Sequence, residues 1–296
     1  MTAATDRARI AFLRACELDV RVRKPGNVSL ACAGHGMNAA LFLASATAAA
    51  GPLCTRGARV GQRVEAAVQA TWSAAGCNTN LGILLLCAPV ALALERQPRA
   101  TTPAALHVAL IEVLADLDRG DAQAAYRAIA RANPGGLGTA ADQDVHQVPS
   151  VDLRAAMALA AERDSIALQY RDGYAQVFEI GLAALGPGFT RGAAARSDLP
   201  PDLPLDSATV AAVQRAYLAL LSAIADSHIR RKLGRHTADA VMRQAQAWHA
   251  LAQSGADLDA DPAFAAWDMA LKDRGINPGT TADLLVAAMM IAGLME

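Results

Sequence analysis

Three polar side chains, Asn78, Thr79 and Asn80, stand directly before Leu81, Gly82 and the most apolar run in the chain, ILLLCAPVALALE. Asn and Thr at a helix start satisfy the free N–H groups of the first turn, and that end of a helix attracts anions. The triplet therefore reads either as a phosphate site or as an ordinary N-cap. A second polar mouth of the same kind, Asn277-Pro-Gly-Thr280-Thr-Ala-Asp283, opens the last apolar stretch. Capping explains it too, yet two such mouths facing one another suit a polyphosphate.

Other polar islands could do related chemistry. Lys24-Pro-Gly-Asn27 puts a cation and an amide on a stiff turn whose glycine lets backbone approach a ligand closely. His35 lies in the same loop. Glu65 precedes the Asn78 turn by about one helix length, so it is either a group aimed back at the site or a solvated glutamate. Arg163 and Asp164, in ERDSIALQY, form either a helix ion pair or a phosphate-binding cation beside a carboxylate of the kind that carries Mg²⁺. Asp226, in DSHIRRK, repeats that situation, although cations at a helix C-terminus also favour the dipole.

Elements of helical period must position these residues. The pattern predicts helices over 5–22, 37–50, 60–74, 80–95, 102–118, 121–132, from Asp152 towards Leu185, and over 207–227, 237–252, 262–274 and 280–294, about eleven in all. The segment NPGGLGTAADQDVHQVPS is a loop, since no strand precedes it and no GK[ST] ends it. Residues 191–204, RGAAARSDLPPDLP, form the candidate surface linker. Abundant Ala and Leu, with 4% aromatic and 19% charged residues, favour helices over strands. An all-α fold, a single compact multi-helix domain over residues 1–296, is the expectation.

A formal net charge of -1 without a long basic run points away from nucleic acid and from anionic membranes, towards a small ligand. The run from Leu81 to Leu94 contains Pro89 and is shorter than the roughly 20 residues that span a bilayer, so it reads as a buried central helix. Five cysteines with no CxxC pair read as reduced thiols, and an N-terminus bearing acids does not resemble a secretory signal. A cytoplasmic protein, with homo-oligomerisation open, is expected.

Taken in order, KPGNVS, NTNLG, AAERDSIALQY, DSHIRRK and NPGTTADLL resemble the triphosphoribosyl-dephospho-CoA synthase family from about Glu17 to the C-terminus. That resemblance implies an all-helical transferase. A hydroxyl of the acceptor attacks C1′ of the ATP ribose, adenine leaves, and Mg²⁺ accompanies the triphosphate. Carried over by position, these motifs mark the candidate residues, and their chemistry suggests the roles: substrate or phosphate binding by Lys24, Asn27, Asn78, Thr79, Asn80, Arg163, Asn277 and Thr280, metal binding by Asp164, Asp226 and Asp283, and catalysis by Glu65 as base and by Asp164. Two departures stand out. Other members carry His and Lys where this chain has Asn80 and Leu81, and the loop around His35, Gly36 and Met37 is altered. The NTNLG form is similar to members from methanogens and methylotrophs that make methanopterin-type one-carbon carriers. That likeness opens a methanopterin-type precursor as acceptor in place of dephospho-CoA, and another ribosyl phosphate as donor. A Mg²⁺-dependent N-ribosyl hydrolase and a noncatalytic helical partner are the competing classes.

Overall fold

The computed structural model describes residues 3–30, 39–135, 137–140, 142–189 and 204–295. Helices α1 (Ala3–Arg21), α2 (Ala39–Leu53), α3 (Val60–Ala75), α4 (Leu81–Arg96), α5 (Pro103–Ala115) and α6 (Arg119–Ala132) come first. A long loop leads to α7 (Leu153–Ala160) and α8 (Ser165–Asp172), then to a π-helical turn (Val177–Leu182) that runs into α9 (Ala183–Leu185). Helices α10 (Ser207–Ala223), α11 (Ser227–Leu233), α12 (Arg235–Gln253), α13 (Pro262–Asp273) and α14 (Gly279–Gly293) complete the chain. No strand occurs among the described residues, as the composition requires.

Two helices are apolar all round, and such helices must be buried. Every residue of α4 from Leu81 to Leu94 is inside, as is nearly all of α14. They pack on each other and on α1, and the remaining helices close around them over one contiguous core. Pro89 sits inside α4, where it lacks the N–H that would bond the carbonyl one turn back. That carbonyl, of Leu85, accepts the Tyr170 hydroxyl at 2.6 Å, and Leu86 O accepts Tyr174 at 2.9 Å. Tyr170 thus fills the gap that Pro89 leaves and ties α8 to the central helix, and Tyr174 adds a second tie just beyond α8.

The predicted helices are close to those observed except where an Asp interrupts a helical pattern. The stretch expected to run from Asp152 to Leu185 breaks before Asp164, whose Oδ1 accepts Ile166 N (2.9 Å) and Ala167 N (3.1 Å) and so starts α8 afresh. The helix expected to reach Ser227 stops at Ala223, and Asp226 caps α11 through Ile229 N. Local Asx capping outcompeted apolar periodicity at both places. All of the candidate linker over 191–204 but Pro204, and residues 31–38 with His35, lie outside the described residues. Among the described residues no single helix is long and apolar enough to cross a membrane; the bent pair α10 and α11 meets that test by length and composition, and α10 is largely buried in the core.

Candidate active site

The breaks at Asp164 and Asp226 bring helix starts together. Ser165 N donates to Ser227 Oγ at 3.2 Å, and Ser227 Oγ donates to Thr280 Oγ1 at 3.0 Å, which links the beginnings of α8, α11 and α14. The start of α4 joins them, since a Cβ built on Gly82 would stand 2.1 Å from Asp283 Oδ2 and 2.6 Å from Ile166 Cδ1. Gly82 is there because Asp283 needs the room. The four starts border a cavity of about 780 Å³.

At the α4 mouth, Asn78 Oδ1 accepts Leu81 N at 3.1 Å and caps the helix. Asn80 Oδ1 accepts the Thr71 hydroxyl at 3.1 Å, while Asn80 Nδ2 and Thr79 Oγ1 are buried with no hydrogen-bond partner among the described residues. Both residues line the cavity. Buried polar atoms without partners are costly, so two of them at one cavity mark a place where a ligand supplies the missing bonds.

The Lys24–Asn27 turn forms the floor. Gly26, at φ +81°, lies so close to the α14 mouth that a Cβ there would meet Pro278 Cδ at 2.8 Å and Ile276 O at 2.9 Å. Its N–H donates to Asp268 Oδ1, and Tyr217 donates to Pro25 O. Asn27 Nδ2 donates to Asn277 Oδ1 at 2.9 Å, and both residues line the cavity. Beneath them Lys24 Nζ donates to Asp19 O (2.5 Å) and Asn27 Oδ1 (2.9 Å) and pairs with Asp19 Oδ1 at 3.1 Å. Burial pushes Asp19 up and Lys24 down from their ordinary pKa values, and each charge opposes the other's shift.

Cations gather on one side. Arg163, Arg230, Arg231 and Lys232 line the cavity, with His228 beside them. Arg231 pairs with Asp164 Oδ2 at 3.2 Å and donates to Gly135 O, Arg230 donates to Glu162 O, and a Cβ built on Gly135 would meet Lys232 Cε at 2.8 Å. Asp283 faces this space with no hydrogen-bond partner among the described residues. Burial pushes its carboxyl well above the usual range, and the nearby charges of Asp19, Asp226 and Asp164 push it further.

The sequence-predicted residues divide accordingly. Asn27, Asn78, Thr79, Asn80, Arg163, Asp164, Asn277, Thr280 and Asp283 line one cavity, and the two Asn and Thr helix mouths do border the same space. Three do not line it. Glu65 is bridged by Arg127 at 2.6 Å on the outer side of α3 and α6, so the expected base stands away from the site. Lys24 is fully buried, with its donors committed to Asp19 and Asn27, and its charge supports the floor instead of meeting a phosphate. Asp226 spends Oδ1 on Ile229 N and Oδ2 on Thr281 N and Oγ1, so it splices α11 to α14 and has no oxygen left for a metal. Nor is any group of three acids, histidines or cysteines among the described residues arranged to hold an ion. Sequence reasoning missed Asp19, which nothing but its helical period distinguished, and undervalued Arg230, Arg231 and Lys232, which helix-dipole chemistry explained equally well.

The comparisons with known proteins agree with this geometry. No curated protein matches the chain. A solved protein of Archaeoglobus fulgidus, provisionally named a triphosphoribosyl-dephospho-CoA synthase, shares the fold with a TM-score of 0.62 at 21% identity, over 86% of this chain and 97% of that one. The family model for ATP:dephospho-CoA triphosphoribosyl transferase matches residues 5–296. With its family model matched over nearly the whole length, the chain belongs to the ATP:dephospho-CoA triphosphoribosyl transferase family.

Proposed function

We propose that this protein transfers a triphosphoribosyl group from MgATP to a hydroxyl acceptor. The observation that carries the reading is the cavity itself. Four cationic side chains stand beside the starts of α4, α8 and α14, and Thr79 Oγ1 and Asn80 Nδ2 wait nearby without partners. Cations and helix N-termini suit a triphosphate. Asn78 and Asn277 would orient the ribose or the base, and Asn27 holds Asn277 in place. Transfer needs the C1′–N9 bond to break as the acceptor oxygen bonds to C1′, with adenine leaving. A pocket that holds the triphosphate and the acceptor together supplies the positioning such a step needs.

Mg²⁺ enters this reading with the nucleotide. The trio Asp164, Asp226 and Asp283 does not make a ligand set, because Asp226 is consumed by capping and Asp164 by capping and by Arg231. Mg²⁺ on nucleotides is held by phosphates, waters and one or two carboxylates at most, so MgATP as substrate is compatible with such a site.

The acceptor is proposed to be a methanopterin-type cofactor precursor in place of dephospho-CoA. Where resembling members carry His and Lys, this chain presents Asn80, engaged with Thr71, and apolar Leu81 in the cavity wall. The wall there lacks a cation for the pyrophosphate of a CoA-type acceptor. The test is adenine release from MgATP with each acceptor in turn, with the adduct identified by mass. Adenine with dephospho-CoA alone returns the acceptor to that of the family. A free reducing ribose phosphate would make the protein a hydrolase, and no adenine with no nucleotide binding would defeat the transfer reading.

A further inference from the structure

With Glu65 outside the cavity, the attacking hydroxyl needs another proton acceptor. We infer that Asp19 is the general base, held in place by Lys24; this rests on the transfer reaction proposed above. The remaining carboxylates are eliminated by what they already do. Asp226 has both oxygens engaged, and Asp164 caps α8 with one oxygen and pairs with Arg231 through the other. Asp283 reaches the cavity but has no cation paired with it among the described residues, unlike Asp19, and burial with the charges of Asp19, Asp226 and Asp164 pushes its carboxyl well above the usual range.

Asp19 is different. It lines the cavity from α1, its Oδ1 lies against the Lys24 ammonium, and its Oδ2 has no hydrogen bond among the described residues. The pair is 0% and 2% exposed. Burying two charges is expensive and hydrophobic replacements often do better, so a pair kept at the edge of a ligand cavity calls for a use. The ammonium favours the anionic carboxylate, while burial keeps that carboxylate basic, as an efficient base near neutral pH requires. Lys24 also reaches Asn27 and through it Asn277, so one buried cation orders both the base and the amides of the floor.

In the step, the acceptor O–H gives its proton to Asp19 Oδ2 as the oxygen bonds to C1′. The electron pair of the C1′–N9 bond leaves with adenine, which takes a proton from solvent, and Asp19 later returns its own to solvent.

The test is Asp19→Asn in the full chain, with adenine release followed under saturating MgATP and acceptor. Expected is a fall in kcat on the order of 10² or more with KM for MgATP within about threefold, since a base acts only in the transition state. A folded Asp19→Asn protein with a kcat within about threefold of the wild type would overturn the assignment. If that variant does not fold, Asp19→Asn/Lys24→Met removes both charges together and leaves none unpaired. The paired variant should bind MgATP and release adenine slowly, and wild-type turnover in it would overturn the assignment equally. Added formate should restore part of the rate to Asp19→Ala, which a merely structural role would not allow. Wild-type protein that releases no adenine with any hydroxyl acceptor would instead sink the transfer reading itself, so the two failures are distinguishable.

Discussion

Asn27 Nδ2 donates to Asn277 Oδ1 at 2.9 Å, so residues 250 apart in the chain share one hydrogen bond at the cavity floor. The contact exists because Gly26 lets the two turns nest. Gly26→Ala adds a Cβ against Pro278 and Ile276 and strains a left-handed backbone at φ +81°. The expected loss is about 2 kcal/mol or more, read from chemical denaturation at unchanged m-value. A neutral Gly26→Ala would mean that the nesting is loose.

Gly82→Ala should act on the site more than on the fold. Its Cβ would occupy the place of Asp283 Oδ2 and Ile166 Cδ1. Alanine suits a helix, so stability should fall by no more than about 1–3 kcal/mol from crowding. The side chains it displaces line the cavity, and a misplacement of about an ångström there should lower kcat for adenine release on the order of 10²-fold. Steady-state kinetics on folded variant protein checks it.

Asp283→Asn should stabilise the protein while impairing it. The folded pKa of Asp283 is raised, so the folded state binds this proton more tightly than the unfolded chain does. The linked stability is fully present below the unfolded value of about 4 and is lost as pH rises through the folded value. Asparagine has no proton to lose. Its melting temperature should exceed that of the wild type at about pH 8, and the gap should close towards about pH 4. Thermal unfolding across that range tests the sign.

Arg231→Met removes a cation that reaches both Asp164 and Gly135 O. MgATP affinity should drop roughly tenfold or more, since hydrogen bonds between charged groups are worth about 1.5–3 kcal/mol. Calorimetric titration at low and high salt measures it, and the wild type should show the steeper salt dependence. Unchanged affinity would remove the triphosphate from this end of the cavity.

Glu65→Gln should leave adenine release unchanged. Its pair with Arg127 is 37% and 60% exposed, and such pairs contribute about 0–1 kcal/mol. A large fall in kcat would return Glu65 to the reaction and count against Asp19.

The helices were legible in the sequence because apolar periodicity and capping are local. Leu81–Leu94 reads as buried from its composition alone, and the Asn and Thr clusters mark where helices begin. The five ordered motifs were enough for the family. What Asn27, residues 78–80, Asn277 and Thr280 have in common could be suspected from their types, but that they border one cavity was decided only by tertiary packing. Local signals also failed to separate Asp164, on the cavity, from Asp226, sealed between α11 and α14, because both are N-cap aspartates before a Ser. Glu65 and Asp19 each lie on a helix at ordinary spacing. Which of them meets the ligand depends on what packs against each face, Arg127 for one and Lys24 with the cavity for the other, and no local pattern encodes that.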